Sequence, residues 1–304
     1  MKSGRRIFGE EDPGYDYKNT VLDVTIKYIR ENYQYLGVSD TDSLESSSSG
    51  VKLRVKGLIL GFSGDNTFIR DVSDPLANGE YASIYMFTSI SVATMSVMFK
   101  VGQIIEFTAK ATKYHGNVQL TDVTHIEQTT VKDDQIHVLF DPRDHGQTDK
   151  YDLQIEEKYL AIKAEAEALG YHYDLLPYDK VNEINNMKNA AELEAYLGAY
   201  IKVKLTSRAG DKEDSNPTGS ETVESHYRYD SDGYDLTILT KTDGGIRLDV
   251  RSLQYGSGYF KESNFEVGKS YLVVGQLAKY YDGYQIVVPN RSMISPILNY
   301  VTAL

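Results

Sequence analysis

The stretch Phe99-Lys-Val-Gly-Gln103 decides how this sequence folds, because it returns later in the chain as Phe265-Glu-Val-Gly-Lys269. The identical pairs, each 166 residues apart, are Phe99/Phe265, Val101/Val267, Gly102/Gly268, Lys113/Lys279, Tyr114/Tyr280 and Gln119/Gln285. Six identities in a single register do not arise readily by chance, and self-similarity at a fixed spacing is the mark of a duplicated module. The chain is therefore predicted to contain two copies of one fold.

Alternation of apolar and polar residues predicts the strands of the first copy. These strands are Val51–Phe62, Thr67–Asp71, Ala82–Thr88, Ile104–Tyr114 and Val118–Ile126. A short helix is predicted over Ser89–Met98, between the third and fourth strands. Three strands, a helix and a closing hairpin follow the order of the OB fold, which is a five-stranded Greek-key barrel.

The second copy shows the same pattern with a longer first loop. Its predicted strands are Tyr200–Ser207, Asp235–Thr240, Ile246–Ser252, Ser270–Tyr280 and Gly283–Pro289. The polar segment Ala209–Ser225 lies between the first two strands and is predicted to be a mobile loop. The predicted fold class is mainly β with helical linkers: two OB-fold-like five-stranded Greek-key barrels, each preceded by a helix.

Helices are predicted before each barrel, at Val21–Leu36 and Ala190–Leu197, and between the barrels at Asp152–Leu169, where Gly170 ends the helix. The segment Ser39–Gly50 is predicted to be a flexible loop. The predicted domains are an N-terminal extension with a helix (1–50), a first barrel (51–130), an acidic helical linker (131–198) and a second barrel (199–304).

The net charge of −12 is concentrated in the middle of the chain. Residues 128–198 contain 7 basic and 15 acidic side chains, whereas residues 51–127 contain 7 of each and residues 199–304 contain 12 and 13. Two near-neutral barrels are compatible with an anionic ligand but do not predict one. The absence of cysteine excludes disulfides and thiolate metal sites. We expect no transmembrane segment and no signal peptide in this sequence.

The motifs resemble the OB-fold domains of bacterial cell-surface lipoproteins and the accessory domains of secreted nucleases. The matching residues are Leu53–Gly57, Phe99–Gln103, Lys113–Gly116, Phe265–Lys269 and Lys279–Gly283. The resemblance implies an extracellular or envelope-attached protein with nucleic-acid-binding ancestry. Two features depart from it: no nuclease domain is expected in Asn290–Leu304, and the second copy lacks the glycine that follows the first strand in the first copy.

OB folds bind ligands on their second and third strands and in the loops beside them. The candidate ligand-binding residues at those places are Phe68, Arg70, Tyr85, Phe87, Tyr114, His115, Tyr280, Tyr281 and Tyr284. Aromatic rings there are suited to stacking on bases or sugars, and the alternative is that they pack in the cores. The chain contains 25 tyrosines and no tryptophan, which fits either contact surfaces or ordinary strand aromatics.

A second set of candidates comes from the first strand of each copy, where basic and apolar residues alternate. The basic residues are Lys52, Arg54, Lys56, Lys202 and Lys204. Side chains two residues apart lie on one face of a strand, so each row is placed to follow a phosphate backbone. The alternative, favoured by the near-neutral barrels, is the water-facing side of a half-buried strand.

No catalytic, cofactor or metal site is predicted. Asp144 and His145 form the most enzyme-like pair, within the loop Asp141–His145, but a local salt-bridged loop is the preferred interpretation. The segment Asp230–Asp235 is not a calcium loop, because Lys241 stands where the bidentate glutamate is required.

Two functional hypotheses follow. The first is a non-catalytic binding protein of the bacterial surface or secreted space, whose barrels bind single-stranded nucleic acid, a glycan or a protein partner. The second is a structural subunit of a surface fibre or virion, in which the barrels are self-assembly modules. The expected location is extracellular or in the cell envelope, with the cytoplasm or a virion as the alternative.

Overall fold

The structure is a computed structural model of the chain. It describes residues 21–36, 38, 51–87, 99–114, 116–121, 123, 126–127, 130–131, 136–145, 156–211, 214, 225–229, 235–253, 261–280, 283–289 and 301–304. The predicted helix at Ser89–Met98 and the predicted loop at Ser39–Gly50 lie outside these residues. The chain divides into two compact units, one formed mainly by residues up to Leu175 and the other mainly by residues from Leu176 onwards.

The first unit contains a closed barrel. Its strands are β1 (Val21–Asp23), β2 (Lys52–Ser63), β3 (Asn66–Pro75), β4 (Tyr81–Phe87), β5 (Ile104–Tyr114), β6 (Asn117–Thr121) and β9 (Ile136–Phe140), beside a separate hairpin of β7 (Ile126–Glu127) and β8 (Thr130–Val131). The sheet order is β1-β2-β3-β4-β6-β5-β9, and β2 also pairs with β5 to close the barrel. The parallel β4–β6 pair and the antiparallel β2–β5 pair are those of an OB fold.

The second unit repeats this topology. Its strands are β10 (Tyr178–Asp179), β11 (Tyr200–Ser207), β12 (Tyr227–Tyr229), β13 (Leu236–Ile238), β14 (Thr240–Lys241), β15 (Asp249–Ser252), β16 (Ser270–Tyr280), β17 (Gly283–Val287) and β18 (Val301–Ala303). The strands pair in the order β10-β11-β16-β17-β15-β13-β12, and β14 pairs with β11. Because β15 and β17 are parallel, as β4 and β6 are, the predicted fold class of two OB-like barrels is confirmed.

The duplicated motif has a structural explanation in the turn before β5 and β16. Gly102 and Gly268 both adopt a positive φ, 91° and 85°, which is a conformation that glycine accepts without steric cost. The Gly102 amide donates to the Ile59 carbonyl at 2.9 Å, and the Gly268 amide donates to the Ser207 carbonyl at 2.8 Å. The glycine therefore ties the start of the fourth barrel strand to the first strand in both copies.

The duplication extends beyond the predicted barrels. A short strand lies parallel to the first barrel strand in each unit, with β1 beside β2 and β10 beside β11. Helix α1 (Ile26–Asn32) follows β1, and helix α3 (Val181–Asn186) follows β10. A sixth strand also pairs antiparallel with the fourth barrel strand, β9 with β5 and β18 with β16. The repeat is therefore strand, helix, barrel and strand.

The predicted helices differ from the observed ones at their boundaries. The segment Val21–Leu36 is not one helix, because Thr25 caps α1 by accepting from the Tyr28 amide at 3.1 Å and a 3-10 helix completes the segment. The predicted helix at Ala190–Leu197 is a 3-10 helix over Ala190–Tyr196. In the described part of the predicted helix at Asp152–Leu169, α2 covers Glu156–Ala168.

The predicted acidic linker over residues 131–198 differs from the observed architecture, because its parts belong to the two units. Strand β9 is part of the first sheet, whereas β10 and α3 belong to the second unit. The segment after α2 is anchored by Tyr173, which is fully buried and meets the Phe140 ring edge-on at 5.5 Å.

Candidate ligand-binding face

Three of the predicted ligand-binding residues of the first barrel are buried. Phe68 and Arg70 on β3 are 0% exposed, and Tyr85 on β4 is 6% exposed. Phe68 pairs with Tyr85 across the two strands, and their rings are 5.3 Å apart. Phe87, at the end of β4, is half-buried. The first barrel therefore does not present Phe68, Arg70 and Tyr85 as an exposed aromatic platform.

The chain itself occupies part of this face. The His172 amide donates to the Val72 carbonyl at 2.8 Å, so the segment after α2 runs beside β3. The Arg70 guanidinium donates to the Asp174 carbonyl at 2.6 Å. The His172 ring also stacks on Tyr81 with centroids 3.5 Å apart. Burial lowers the pKa of His172 to about 4, so this imidazole is neutral at pH 7.

The predicted basic rows are paired with carboxylates in both barrels. In the first barrel, Arg54 contacts Asp23 at 3.2 Å and Lys56 contacts Glu106 at 3.5 Å. The row borders a cleft of about 590 Å³ beside β1. Lys52 lies on the same strand and is half-buried. These ion pairs favour the interpretation of a water-facing strand over that of a phosphate track.

The second barrel repeats one of these pairs. Lys202 contacts Asp179 at 2.7 Å, and Asp179 lies opposite Lys202 in the parallel β10–β11 register. Asp23 lies opposite Arg54 in the same way in the first unit. Lys204 contacts Asp243 at 2.9 Å. The acidic partners of Arg54 and Lys202 therefore come from equivalent strands, β1 and β10, in the two units. The partner of Lys204 comes from a turn of the second barrel.

The strand register identifies which residues of the second barrel replace the buried aromatic residues of the first. Tyr85 lies opposite Gln119 in the β4–β6 pair, and Asp249 lies opposite Gln285 in the β15–β17 pair. Gln119 and Gln285 are one of the duplicated pairs, so Asp249 occupies the position of Tyr85. Two residues later on each strand, Arg251 corresponds to Phe87.

Arginines dominate this face of the second barrel. Arg228 on β12 and Arg251 on β15 both lie opposite Thr237 of β13, so their side chains share one side of the sheet. Arg247 stands two residues before Asp249, and Arg208 follows β11. We call this surface the arginine face; it comprises Arg208, Arg228, Arg247 and Arg251. Arg228 is 32% and Arg247 39% exposed, so both guanidiniums reach solvent.

Carboxylates hold the arginines in place. Asp214 accepts two hydrogen bonds from Arg208, both at 2.6 Å, and lies 3.3 Å from Arg247. Burial acts to raise the pKa of Asp214, but the hydrogen bonds from Arg208 hold it below its ordinary value. Arg247 also contacts Asp211 at 2.5 Å. Such fixed guanidiniums are oriented before any ligand arrives.

Asp249 lies between two of these guanidiniums. Its carboxylate is 3.6 Å from Arg208 and 3.6 Å from Arg228, and it accepts from the Thr240 amide at 3.1 Å. Burial raises its pKa to about 6, and Arg228 and Arg208 limit the rise. The carboxyl group therefore titrates near pH 6, in mildly acidic solution.

The predicted tyrosines at the β16–β17 turn have different surroundings. The Arg251 guanidinium lies 4.8 Å above the Tyr280 ring, which places Tyr280 at the arginine face. The Tyr284 hydroxyl donates to Glu194 at 2.6 Å, and Lys279 contacts the same carboxylate at 2.8 Å. Tyr281 lies outside the described residues.

In the first barrel, Tyr114 occupies the position equivalent to Tyr280 and is 38% exposed. The neighbouring Lys113 ammonium lies 5.5 Å from the Tyr33 ring. His115, which was predicted beside them, lies outside the described residues. Both barrels therefore have a tyrosine at this turn, exposed in the first barrel and half-buried in the second.

The arginine face was not predicted from the sequence. Its signal was present in the alternation of Arg247, Asp249 and Arg251, with Arg247 two residues before β15 and the other two on one side of that strand. The contribution of Arg208 and Arg228 was not visible, because these residues come from two other strands of the barrel. These two arginines come close to Asp249 only when the strands of the second barrel pair.

The enzyme-like loop is a local ion-pair structure. Asp141 accepts from the Arg143 Nε at 2.9 Å and from the Gln103 amide at 2.6 Å. Burial acts to raise the pKa of Asp141, but Arg143 keeps it below its ordinary value. Within the residues that the structure describes, no three acidic or histidine side chains are grouped to hold a metal ion. None of the described helices is long and apolar enough to span a membrane.

Comparison with known proteins finds no matching family model and no matching curated protein. Among solved structures, the Stn1–Ten1 complex of S. pombe is 13% identical, with 38% of this chain and 77% of that chain covered and a TM-score of 0.19. The single-stranded DNA binding protein of Thermus aquaticus is 10% identical, with 78% and 89% covered and a TM-score of 0.19. A deletion mutant of that protein gives a TM-score of 0.18. These likenesses are too loose to assign a ligand.

Proposed function

We propose that this chain is a non-catalytic binding protein that takes single-stranded nucleic acid on the arginine face of its second barrel. The observation that carries the proposal is the convergence of Arg208, Arg228, Arg247 and Arg251 with the Tyr280 ring on one side of an OB barrel. Single-strand binders combine cationic groups for phosphates with aromatic rings for bases. The second and third barrel strands, where OB folds bind oligonucleotides, carry this face.

The arginines retain the capacity to bind phosphate although each is near a carboxylate. A guanidinium has five N–H donors, and a bidentate carboxylate uses two of them. Arg228 and Arg247 are the most exposed of the four, so a ligand oxygen can approach both guanidiniums from solvent. Arg251 contacts Asp235 at 2.5 Å, so the four arginines have four neighbouring aspartates, the others being Asp211, Asp214 and Asp249. We therefore expect moderate affinity that decreases steeply with salt.

The first barrel takes a different role in this proposal. Its equivalent face holds Phe68, Arg70 and Tyr85 inside the fold, and Asp174 accepts the hydrogen bond of Arg70. Burial of these groups supports a structural use of that face. The first barrel then acts as a scaffold for the chain, and the second barrel carries the ligand.

A protein partner is the second candidate. Tyr35 is 61% exposed and Tyr114 is 38% exposed in the first unit, and exposed tyrosines are frequent in protein contacts. This observation favours the interpretation of the chain as an assembling subunit of a fibre or virion. The location at a bacterial surface or in the secreted space is part of the proposal and is supported by the motif resemblance. A glycan ligand would use the same aromatic rings without needing the arginines.

The test is binding of a fluorescent oligothymidylate of roughly 15 nucleotides, followed by anisotropy at two salt concentrations. We expect the double variant R228A/R251A to weaken binding by roughly ten-fold or more and to flatten the salt dependence. The matched control is K202A/K204A, which removes two positive charges from another strand of the same barrel. Equal loss in both double variants would show that overall charge, and not the arginine face, determines binding.

A further inference from the structure

The position of Asp249 gives the arginine face a dependence on pH. Its carboxylate contacts Arg208 and Arg228, both at 3.6 Å, while Asp214 and Asp211 engage Arg208 and Arg247 from the loop after β11. Three arginines are thus balanced by three aspartates. Protonation of a single aspartate changes this cluster from neutral to cationic.

Asp249 is the aspartate best placed to make that change. Asp214 is bound by two short hydrogen bonds from Arg208, which favour its charged form. Asp211 is half exposed, on the solvent side of the cluster. Asp249 has the longer contacts to its arginines, 3.6 Å to each of two guanidiniums, and burial raises its pKa to about 6.

The groups that face Asp249 come from several elements. They are Arg208 after β11, Asp214 in the following loop, Arg228 on β12, the Thr240 amide on β14, Gln285 on β17, Arg251 on its own strand and Arg247 just before that strand. The nearest of these charged groups, Arg208 and Arg228, are cations whose outer donors become available when the carboxylate loses its charge. Asp214 remains charged and keeps Arg208 in position.

We propose that protonation of Asp249 strengthens the binding of an anionic single strand to the arginine face, so that the chain binds more tightly in mildly acidic solution. The inference rests on the proposed function and describes how pH regulates ligand binding at that same site. Releasing Arg228 from Asp249 adds one guanidinium for a ligand phosphate without moving the strand.

The experiment compares oligothymidylate binding at about pH 5.5 and about pH 7.5 at constant ionic strength, because thymine and the phosphodiesters do not titrate in this range. We expect wild-type affinity to rise on the order of five-fold at the lower pH. D249N is expected to bind at both pH values as tightly as the acidic wild type. Because asparagine does not titrate, the affinity of D249N for the oligonucleotide should not change with pH.

The matched control is H226Q, because histidine is the side chain whose ordinary pKa lies in this range and His226 stands beside β12. H226Q is expected to keep the wild-type pH dependence. D249S serves as a second neutral variant if D249N does not fold. Wild-type binding that is equal at both pH values, or a pH dependence that persists in D249N and D249S, would overturn the role of Asp249 but leave the proposed function standing. Absence of binding at every pH in low salt would overturn both the role of Asp249 and the proposed function.

Discussion

The ring of His172 lies flat against the ring of Tyr81, with centroids 3.5 Å apart and planes within 1° of parallel. This stack lies at the start of β4 in the first barrel, next to the hydrogen bond from the His172 amide to the Val72 carbonyl. A neutral imidazole stacks on a phenol ring at lower cost than a charged one that must also be desolvated. The stability of the first unit is therefore expected to depend on pH through this contact.

We predict that the first unit loses stability as pH falls. The pKa of His172 is lowered to about 4 from an ordinary 6.5, so the unfolded chain takes up a proton first and the loss occurs between these values. The protection factor of the His172 amide, which is the intrinsic exchange rate at each pH divided by the observed rate, should fall over that range in the wild type. H172F retains a stacking ring without a titrating group, and its protection factor should change less. An equal pH response in both proteins would contradict the prediction.

The second unit should respond in the opposite direction. Burial raises the pKa of Asp249 to about 6 from an ordinary 3.8, so the folded state holds the proton more tightly than the unfolded chain. The stability that this proton contributes is complete below about pH 3.8 and is lost as pH rises through about 6. Denaturant unfolding of D249N, monitored by hydrogen exchange of the β15 amides, should not show this dependence of stability on pH. If D249N kept the wild-type dependence, another titrating group would be its cause.

Gly57 should not tolerate a side chain. A Cβ at this position would lie 2.0 Å from the Ile69 Cγ2 of β3, inside the barrel. We expect G57A to lower the free energy of unfolding by roughly 1–3 kcal/mol through overpacking. K56A, the neighbouring change on the water-facing side, should cost less than about 1 kcal/mol. Chemical denaturation of both variants measures the difference, and equal costs would show that the strand can shift to make room.

Tyr280 should contribute to oligonucleotide binding, whereas its counterpart Tyr114 should not. Tyr280 lies beneath the Arg251 guanidinium at 4.8 Å, and stacking of a base on an aromatic ring is worth about 1–3 kcal/mol. We expect Y280A to weaken oligothymidylate binding by at least roughly five-fold. Y114A removes the tyrosine at the same position of the first barrel and should leave affinity unchanged. An equal loss in Y114A would place ligand contacts on the first barrel as well.

Local pattern was sufficient to predict the barrels. The strands Ile104–Tyr114, Tyr200–Ser207 and Ser270–Tyr280 have the predicted bounds, because alternation with a period of two and the flanking glycine turns are encoded within each segment. The constant spacing of 166 residues also predicted the duplication. The short strands β1 and β10 were missed because they are too short to show alternation and form only against the barrel edge.

The binding face could not be predicted in the same way. Phe68, Arg70 and Tyr85 carry the residue types of an OB ligand site, yet they are buried, and the segment after α2 engages Arg70 from about a hundred residues away. Sequence alone determined the main barrel strands, through local periodicity, and the duplication, through the constant spacing of 166 residues. Only the tertiary structure decided which barrel exposes its face and brings together four arginines from three separate segments of the chain, because burial and charge pairing depend on long-range contacts.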